Sequence, residues 1–233
     1  MKKLLSIAVA ALASAAIAEL VNVADVGITA VSTTLENTIV AVPYESLRGI
    51  TSGTIAVADV VKTDGLPGGT ILYAYDKNSN SYYAWGIDNG AWVPAATVTK
   101  DTPKPASSAG SANYTVSTGS AIWLCLPSVP NGTQTFYLYG KYVAPGTVAF
   151  AAGRNLVANI SQSEVSNLAD RITGAQKGDM IIAPDGTMYT NSRKGRWVSG
   201  GETPTIGLPT IAAGQGFWYI AKGAGSINWG AIQ

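Results

Sequence analysis

Histidine is absent from all 233 residues, cysteine occurs once, and Lys, Arg, Asp and Glu together make up 12% of the chain. Without an imidazole there is no Ser-His-Asp or Cys-His catalysis, no histidine metal ligand and no ordinary general base near neutral pH. A single thiol, Cys125, cannot close an intramolecular disulfide and cannot alone build a zinc or iron–sulfur site. Its place in the apolar run AIWLCLP predicts a small buried hydrophobe. Fifteen Lys and Arg against fourteen Asp and Glu leave a formal charge of +1, so no global field gathers nucleic acid or an acidic partner, and copies of the chain repel one another little. Glycine-rich phosphate-binding fingerprints are also missing, and no cofactor is expected.

Long hydrophobic runs are confined to the start. Lys2 and Lys3 precede LLSIAVAALASA, which ends in Ala16-Ile17-Ala18, the order of a charged region, a short apolar region and a small-residue cleavage site. Residues 1–18 therefore read as a signal peptide cleaved after Ala18, with 19–27 a short N-terminal segment. No later stretch approaches the roughly twenty apolar residues of a membrane helix. The chain is expected to be exported, secreted or held at the cell surface, with no transmembrane segment once cleaved.

What the sequence does contain is repetition. Gly69 opens GTILYAYD, closing on Asp76, and Gly178 opens GDMIIAPD, closing on Asp185. GAWV at Gly90 to Val93 is matched by GRWV at Gly195 to Val198. GSAIWL, with Gly119 four residues before Trp123, is matched by GQGFWY, with Gly214 four before Trp218. Weaker matches join NTIVAV from Asn37 to NLVANI from Asn155, and Ala58-Asp59 to Ala169-Asp170. Three landmarks in one order predict two diverged copies of a domain, 28–143 and 144–233, divided near Ala144-Pro145-Gly146. The first copy is longer mainly in KDTPKPASSAGSA, which reads as a loop insertion.

Within each copy, short segments rich in Val, Ile, Thr, Tyr and Trp are bounded by Gly, Pro, Asn and Asp, which is strand and turn chemistry. ILYAY and SYYAWGI around DKNSN predict a hairpin, as do MIIA and TMYT around Pro184-Asp185-Gly186. QTFYLYGKYV and INWGAIQ read as closing strands. One short helix per copy is expected, in the second over VSNLADRI with Val165, Leu168 and Ile172 at helical spacing and Ser161 or Ser163 as caps. The fold class is thus mainly β, two tandem copies of a small β-sandwich or partly open barrel, each with at most one short helix. Trp123 and Trp218, inside apolar strands, are expected in the core, whereas Trp92 and Trp197 follow turns and could lie on a rim.

The signal peptide, the Asn-Leu-Val-like strand, the Tyr/Asp hairpin, the G-x-W-V strand and the closing G-Q-G-F-W-Y run together resemble uncharacterised secreted tandem β-repeat proteins of verrucomicrobial and related bacteria. The resemblance is clearest over 155–229. It implies location and repeat architecture, and carries no site with it.

Carboxylates are the remaining route to catalysis, since a glycosidase needs only two. Asp76 and Asp185 recur, as do Asp59 and Asp170, but the first two sit at predicted turns, where Asp bonds its own backbone. Asp76, Asn78 and Asn80 spell the opening of a calcium loop, yet Ser81 and Ile87 occupy the places of its glycine and bidentate glutamate, so no metal is expected. Arg193, Lys194 and Arg196 form a basic hairpin tip too small for nucleic acid. Asn113, Asn131 and Asn159 begin N-x-[ST] triplets that a bacterial-style export signal makes poor glycan acceptors.

The first expectation is a non-catalytic structural or adhesive protein of the cell envelope or extracellular matrix, partnered by copies of itself or other envelope proteins. The alternative is carbohydrate binding by exposed aromatic residues. In a hairpin, residues two apart share a face, so Tyr73 pairs with Tyr75 and Tyr83 with Trp85 as candidate surfaces for polysaccharide.

Overall fold

The computed structural model describes residues 26–34, 36–47, 54–95, 107–110, 114–129, 132–192, 196–200 and 207–230. The expected signal peptide, most of the segment to residue 27, Arg193, Lys194, Asn113 and Asn131 lie outside the described residues. The chain is mainly β, and the described residues include two four-residue helices. No helix among the described residues is long and apolar enough to cross a membrane.

In the first copy the strands are β1 (Val26–Thr33), β2 (Asn37–Ala41), β3 (Tyr44–Glu45), β4 (Thr54–Ala56), β5 (Ile71–Asp76), β6 (Ser81–Asp88), β7 (Ala91–Pro94), β8 (Ser107–Ala109), β9 (Thr115–Ser117), β10 (Ala121–Cys125) and β11 (Gln134–Tyr142), with helix α1 (Val57–Val60). The second copy holds β12 (Thr147–Phe150), β13 (Gly153–Ala158), α2 (Leu168–Arg171), β14 (Ile172–Thr173), β15 (Met180–Ile182), β16 (Met188–Asn191), β17 (Trp197–Ser199), β18 (Gly216–Ala221) and β19 (Gly225–Asn228). The large sheet of the first copy runs β2-β10-β5-β6-β7 and that of the second β13-β18-β15-β16-β17, the same order strand for strand. Two three-stranded sheets, β1-β11-β3 and β12-β19-β14, and the pair β4-β9 complete the sheets of the described residues.

Register ties the copies residue by residue. Trp123 lies opposite Ile39 and Tyr73, and Trp218 opposite Leu156 and Ile182. Leu72 faces Trp85 as Ile181 faces Tyr189, and two residues on Ile87 faces Trp92 as Asn191 faces Trp197. Val61 and Ile172, each just after its helix, reach Leu138 and Ile227, so Asp59 and Asp170 are equivalent. The match of Asn37 with Asn155 is out of step by one: Ile39 corresponds to Leu156, which sets Asn37 beside Arg154.

The sheets are blade-like and arranged as in a four-bladed propeller, not as two sandwiches. The physical reason lies where the copies meet. Val40 bridges Gln215, and Ser120 bridges Val157; Val40 and Val157 are equivalent positions, as are Ser120 and Gln215, so the two bridges exchange under a pseudo-two-fold. Backbone hydrogen bonds follow the same exchange, Ala41 N to Gly214 O at 2.8 Å and Ala158 N to Gly119 O at 3.3 Å. One hydrophobic core runs through both copies, including Val40, Trp85 and Leu124 from the first and Leu156, Phe217 and Tyr219 from the second. Edges that two separate sandwiches would expose are spent on each other.

Three local expectations are corrected. The helix over VSNLADRI shrinks to Leu168–Arg171 with Asn167 as its N-cap, because Val165 is drawn into a bridge with Ile211. Ser161 is held by a fully buried Asn159, whose side chain accepts from Ser161 N at 2.9 Å and donates to Ser163 O at 3.0 Å and Ile211 O at 2.9 Å. The insertion in the first copy is not simply a loop: Ser107–Ala109 runs parallel to β6, and Gly110 N donates to Ala84 O at 2.9 Å.

Five phenols, Tyr44, Tyr73, Tyr82, Tyr114 and Tyr219, are raised above the ordinary value of 10.0, chiefly by burial. In the unfolded chain they ionise first, so above pH 10 that state sheds protons the folded one retains and is favoured. Stability should therefore be intact up to about pH 10 and fall steeply beyond it. Alkaline titration followed by tyrosinate absorbance should show these phenols ionising together with loss of near-ultraviolet dichroism; smooth ionisation near pH 10 in a chain that stays folded would contradict this.

Candidate functional site

Pleating divides the β5–β6 hairpin into two faces with different fates. Directly opposed residues project to the same side, so the pairs Tyr73–Ala84, Tyr75–Tyr82 and Tyr73–Trp123 assign Tyr73, Tyr75, Tyr82 and Trp123 to one face. Leu72, Ala74, Tyr83, Trp85 and Leu124 take the other, toward the shared core.

On the core side, the expected Tyr83–Trp85 surface does not exist. Trp85 is fully buried and Tyr83 half-buried. Tyr114 lies over both, its ring centroid 4.9 Å from Tyr83 and 5.8 Å from Trp85, and Gly110 backs directly onto the Trp85 indole, where a Cβ would collide with the ring. The insertion that distinguishes the first copy is what closes this face.

On the other side the aromatic rings gather around Tyr82. Its centroid lies 5.3 Å from Tyr75, 6.2 Å from Tyr73, 6.1 Å from Trp123 and 6.5 Å from Trp218 of the second copy. Trp218 also meets Tyr75 edge-on at 5.1 Å. Such tilted and edge-to-face contacts are the favoured geometry of aromatic quadrupoles. Tyr75, Tyr82, Trp123 and Trp218 are half-buried, whereas Tyr73 is fully buried at the base of the cluster with Cys125, Ile71 and Ala84. The Tyr73 hydroxyl and Asn37 Oδ1 are buried there without hydrogen-bond partners. Burial chiefly raises the Tyr82 phenol, Tyr75 adds to that, and the positive Arg154 of β13 partly offsets it. Lys77 at the hairpin tip donates to Asn155 Oδ1 at 3.3 Å, a second tie between the copies beside the cluster.

Of the four residues expected to bind, Tyr75 belongs to this surface, Tyr73 is its buried floor, Trp85 is core, and Tyr83 is half-buried against that core beneath Tyr114. Tyr82, an aromatic of the same hairpin, lies outside the two expected pairs yet stands at the centre of the cluster, and Trp123 and Trp218 were missed as members. Trp123 and Trp218, expected inside, are partly exposed because Leu124 and Tyr219, one residue on, fill the inner pleats. Trp197 is buried, not on a rim, and Trp92 is half-buried with its indole N–H donating to Val61 O at 2.8 Å. A period-two count along GSAIWL and GQGFWY could have flagged both parities as apolar, though not which one faces out.

The carboxylates are turn residues. Asp76 accepts from Asn78 N at 2.9 Å and from Ser79 Oγ at 2.7 Å, and these bonds hold its carboxyl below the usual range. Asp185 accepts from Thr187 N at 2.9 Å. Asn80 Oδ1 accepts from Tyr75 OH at 2.8 Å, a tie from the hairpin tip to the aromatic cluster. Among the described residues no group of three His, Cys, Asp or Glu could hold a metal ion. What the surface can do is stack and hydrogen-bond. No family model, no curated protein and no solved structure matches this chain.

Proposed function

We propose that the chain is a non-catalytic, exported adhesive protein that holds polysaccharide of the cell envelope or extracellular matrix against Tyr75, Tyr82, Trp123 and Trp218. The observation that carries this reading is a cluster of partly exposed aromatic rings, contributed by both copies, on the outward face of the large sheets. Apolar C–H faces of sugar rings lie well on such rings, and the phenol and indole groups offer hydrogen bonds at their edges. Further support comes from Asp76 and Asp185, each of which is occupied at its hairpin tip by hydrogen bonds from its own turn.

Sedimentation with insoluble cellulose, chitin, xylan and peptidoglycan tests the reading. The chain should be retained by at least one of them, and Trp218→Ala and Trp123→Ala should each weaken retention about tenfold, equivalent to about 1.4 kcal/mol. Tyr142→Ala, exposed on another sheet, should leave it unchanged. Failure to bind any of the four polymers, or binding indifferent to both tryptophans, would remove the proposal.

A further inference from the structure

We infer that β1 is a docking edge for a second copy of this chain, and that two molecules join there as a closed two-fold dimer. This goes beyond the proposed polysaccharide surface and does not depend on it. β1 ends the order β1-β11-β3, and among the described residues Val26 through Ser32 make no backbone hydrogen bond except in the ladder to β11. An open strand edge is a row of unpaired N–H and C=O groups, and proteins usually blunt such edges with charge, proline, shortness or a cover.

Elsewhere among the described residues those protections are in place. β7 is four residues ending in Pro94, β8 and β17 are three residues, and β3 and β14 are two. β2 and β13 are closed by the pseudo-two-fold bridges. β12, the counterpart of β1, is four residues long and follows Pro145-Gly146. Among the described residues β1 has none of these protections: eight residues, VGITAVST, without a charge or a proline.

The partner that fits is the same strand. Antiparallel pairing of β1 with β1 about an axis normal to the sheet sets outward side chains beside outward ones, joining two three-stranded sheets into one of six. It would shield Ile28 and Ala30 of the edge strand itself, of which Ile28 is 44% exposed on the outward face. A formal charge of +1 gives the copies little reason to repel. Because each chain offers one such edge, the contact is isologous and stops at two rather than growing into a filament.

Light scattering behind size-exclusion chromatography over 1–500 µM, about the range in which weak dimers form, should show a shift from one to two chain masses. Ile28 and Ala30 are exposed, so the double variant I28K/A30K should fold normally yet remain monomeric, with like charges stacked across the axis, and I28E/A30E should behave the same way. Mixing the two should restore a dimer. Independently, exchange of the Val26–Ser32 amides in the unaltered chain should slow as concentration rises. A monomer throughout the range, a dimer untouched by the charge variants, amide exchange independent of concentration, or growth beyond two chains would each overturn the inference.

Discussion

Replacing Asp179 by alanine is expected to cost about 4 kcal/mol of folding stability, among the largest single-residue losses available in this chain. Asp179 is fully buried, and its carboxylate is the meeting point of three donors: Tyr219 OH at 2.8 Å, Gln176 N at 2.8 Å and Lys222 N at 2.7 Å. Its backbone oxygen accepts from Asn191 N at 2.8 Å, so one residue joins the turn before β15, the end of β16 and the end of β18. Truncation would leave a buried phenol and two backbone N–H groups without partners, each costing about 1–3 kcal/mol in the interior. Tyr219→Phe removes a single donor and should cost about 1–2 kcal/mol. The first copy shows the apolar solution to the same position: Thr70 stands for Asp179 and donates within its own turn to Pro67 O at 2.6 Å, while Leu124 stands for Tyr219 and needs no partner. Guanidinium unfolding of the three proteins gives the ranking directly. A loss for Asp179→Ala no larger than that for Tyr219→Phe would show that water replaces the missing carboxylate.

The seam between the copies should be equally intolerant. Gly119 and Gly214 occupy equivalent places before β10 and β18, with φ of +89° and +76°. A Cβ on Gly214 would stand 2.8 Å from Val31 Cγ2, and one on Gly119 would collide with Val148, in each case a strand of the other copy. Gly119→Ala and Gly214→Ala should therefore each cost about 3 kcal/mol, combining left-handed backbone strain with overpacking. Gly65 isolates the first of these effects, since it has φ of +81° and a Cβ there would meet nothing within 4 Å, and Gly65→Ala should cost about 1 kcal/mol. The comparison is made by thermal and denaturant unfolding of all three. Equal losses would mean that the copies are not tightly apposed at this point. A larger loss at the seam, with the whole chain unfolding in one transition, is the behaviour expected of a shared core.

Much of the local structure was legible because it rests on short-range chemistry. The hairpin around DKNSN forms where expected, β5 to β6, with Asn80 at φ +49° in the turn, and Gly186 takes φ +85° between β15 and β16. Gly69 and Gly178, chosen as landmarks, both adopt positive φ, +85° and +87°, at the same step before a strand. Positions that demand such backbone angles select glycine, so a recurring glycine followed at constant distance by an aromatic marks the same turn and strand in both copies. The helix was harder to place, since Val165 can satisfy a helical spacing or a strand bridge, and its choice depends on Ile211, 46 residues away.

Sequence by itself determined that the chain is mainly β, where its strands turn, and that Trp92 and Trp123 stand in register with Trp197 and Trp218, because turn preferences and a period of two are properties of neighbouring residues. Tertiary structure alone decided which pleat faces out. In β5 and β10 both parities are apolar or aromatic, so Leu72 and Leu124 could exchange roles with Tyr73 and Trp123 without changing any local preference. The choice was made by distant groups: Gly110 and Tyr114 cover Trp85, and Trp218 arrives from the second copy to complete the opposite face. The copies likewise join as one body because a strand edge is satisfied by whatever ladder reaches it, which no residue along that strand encodes.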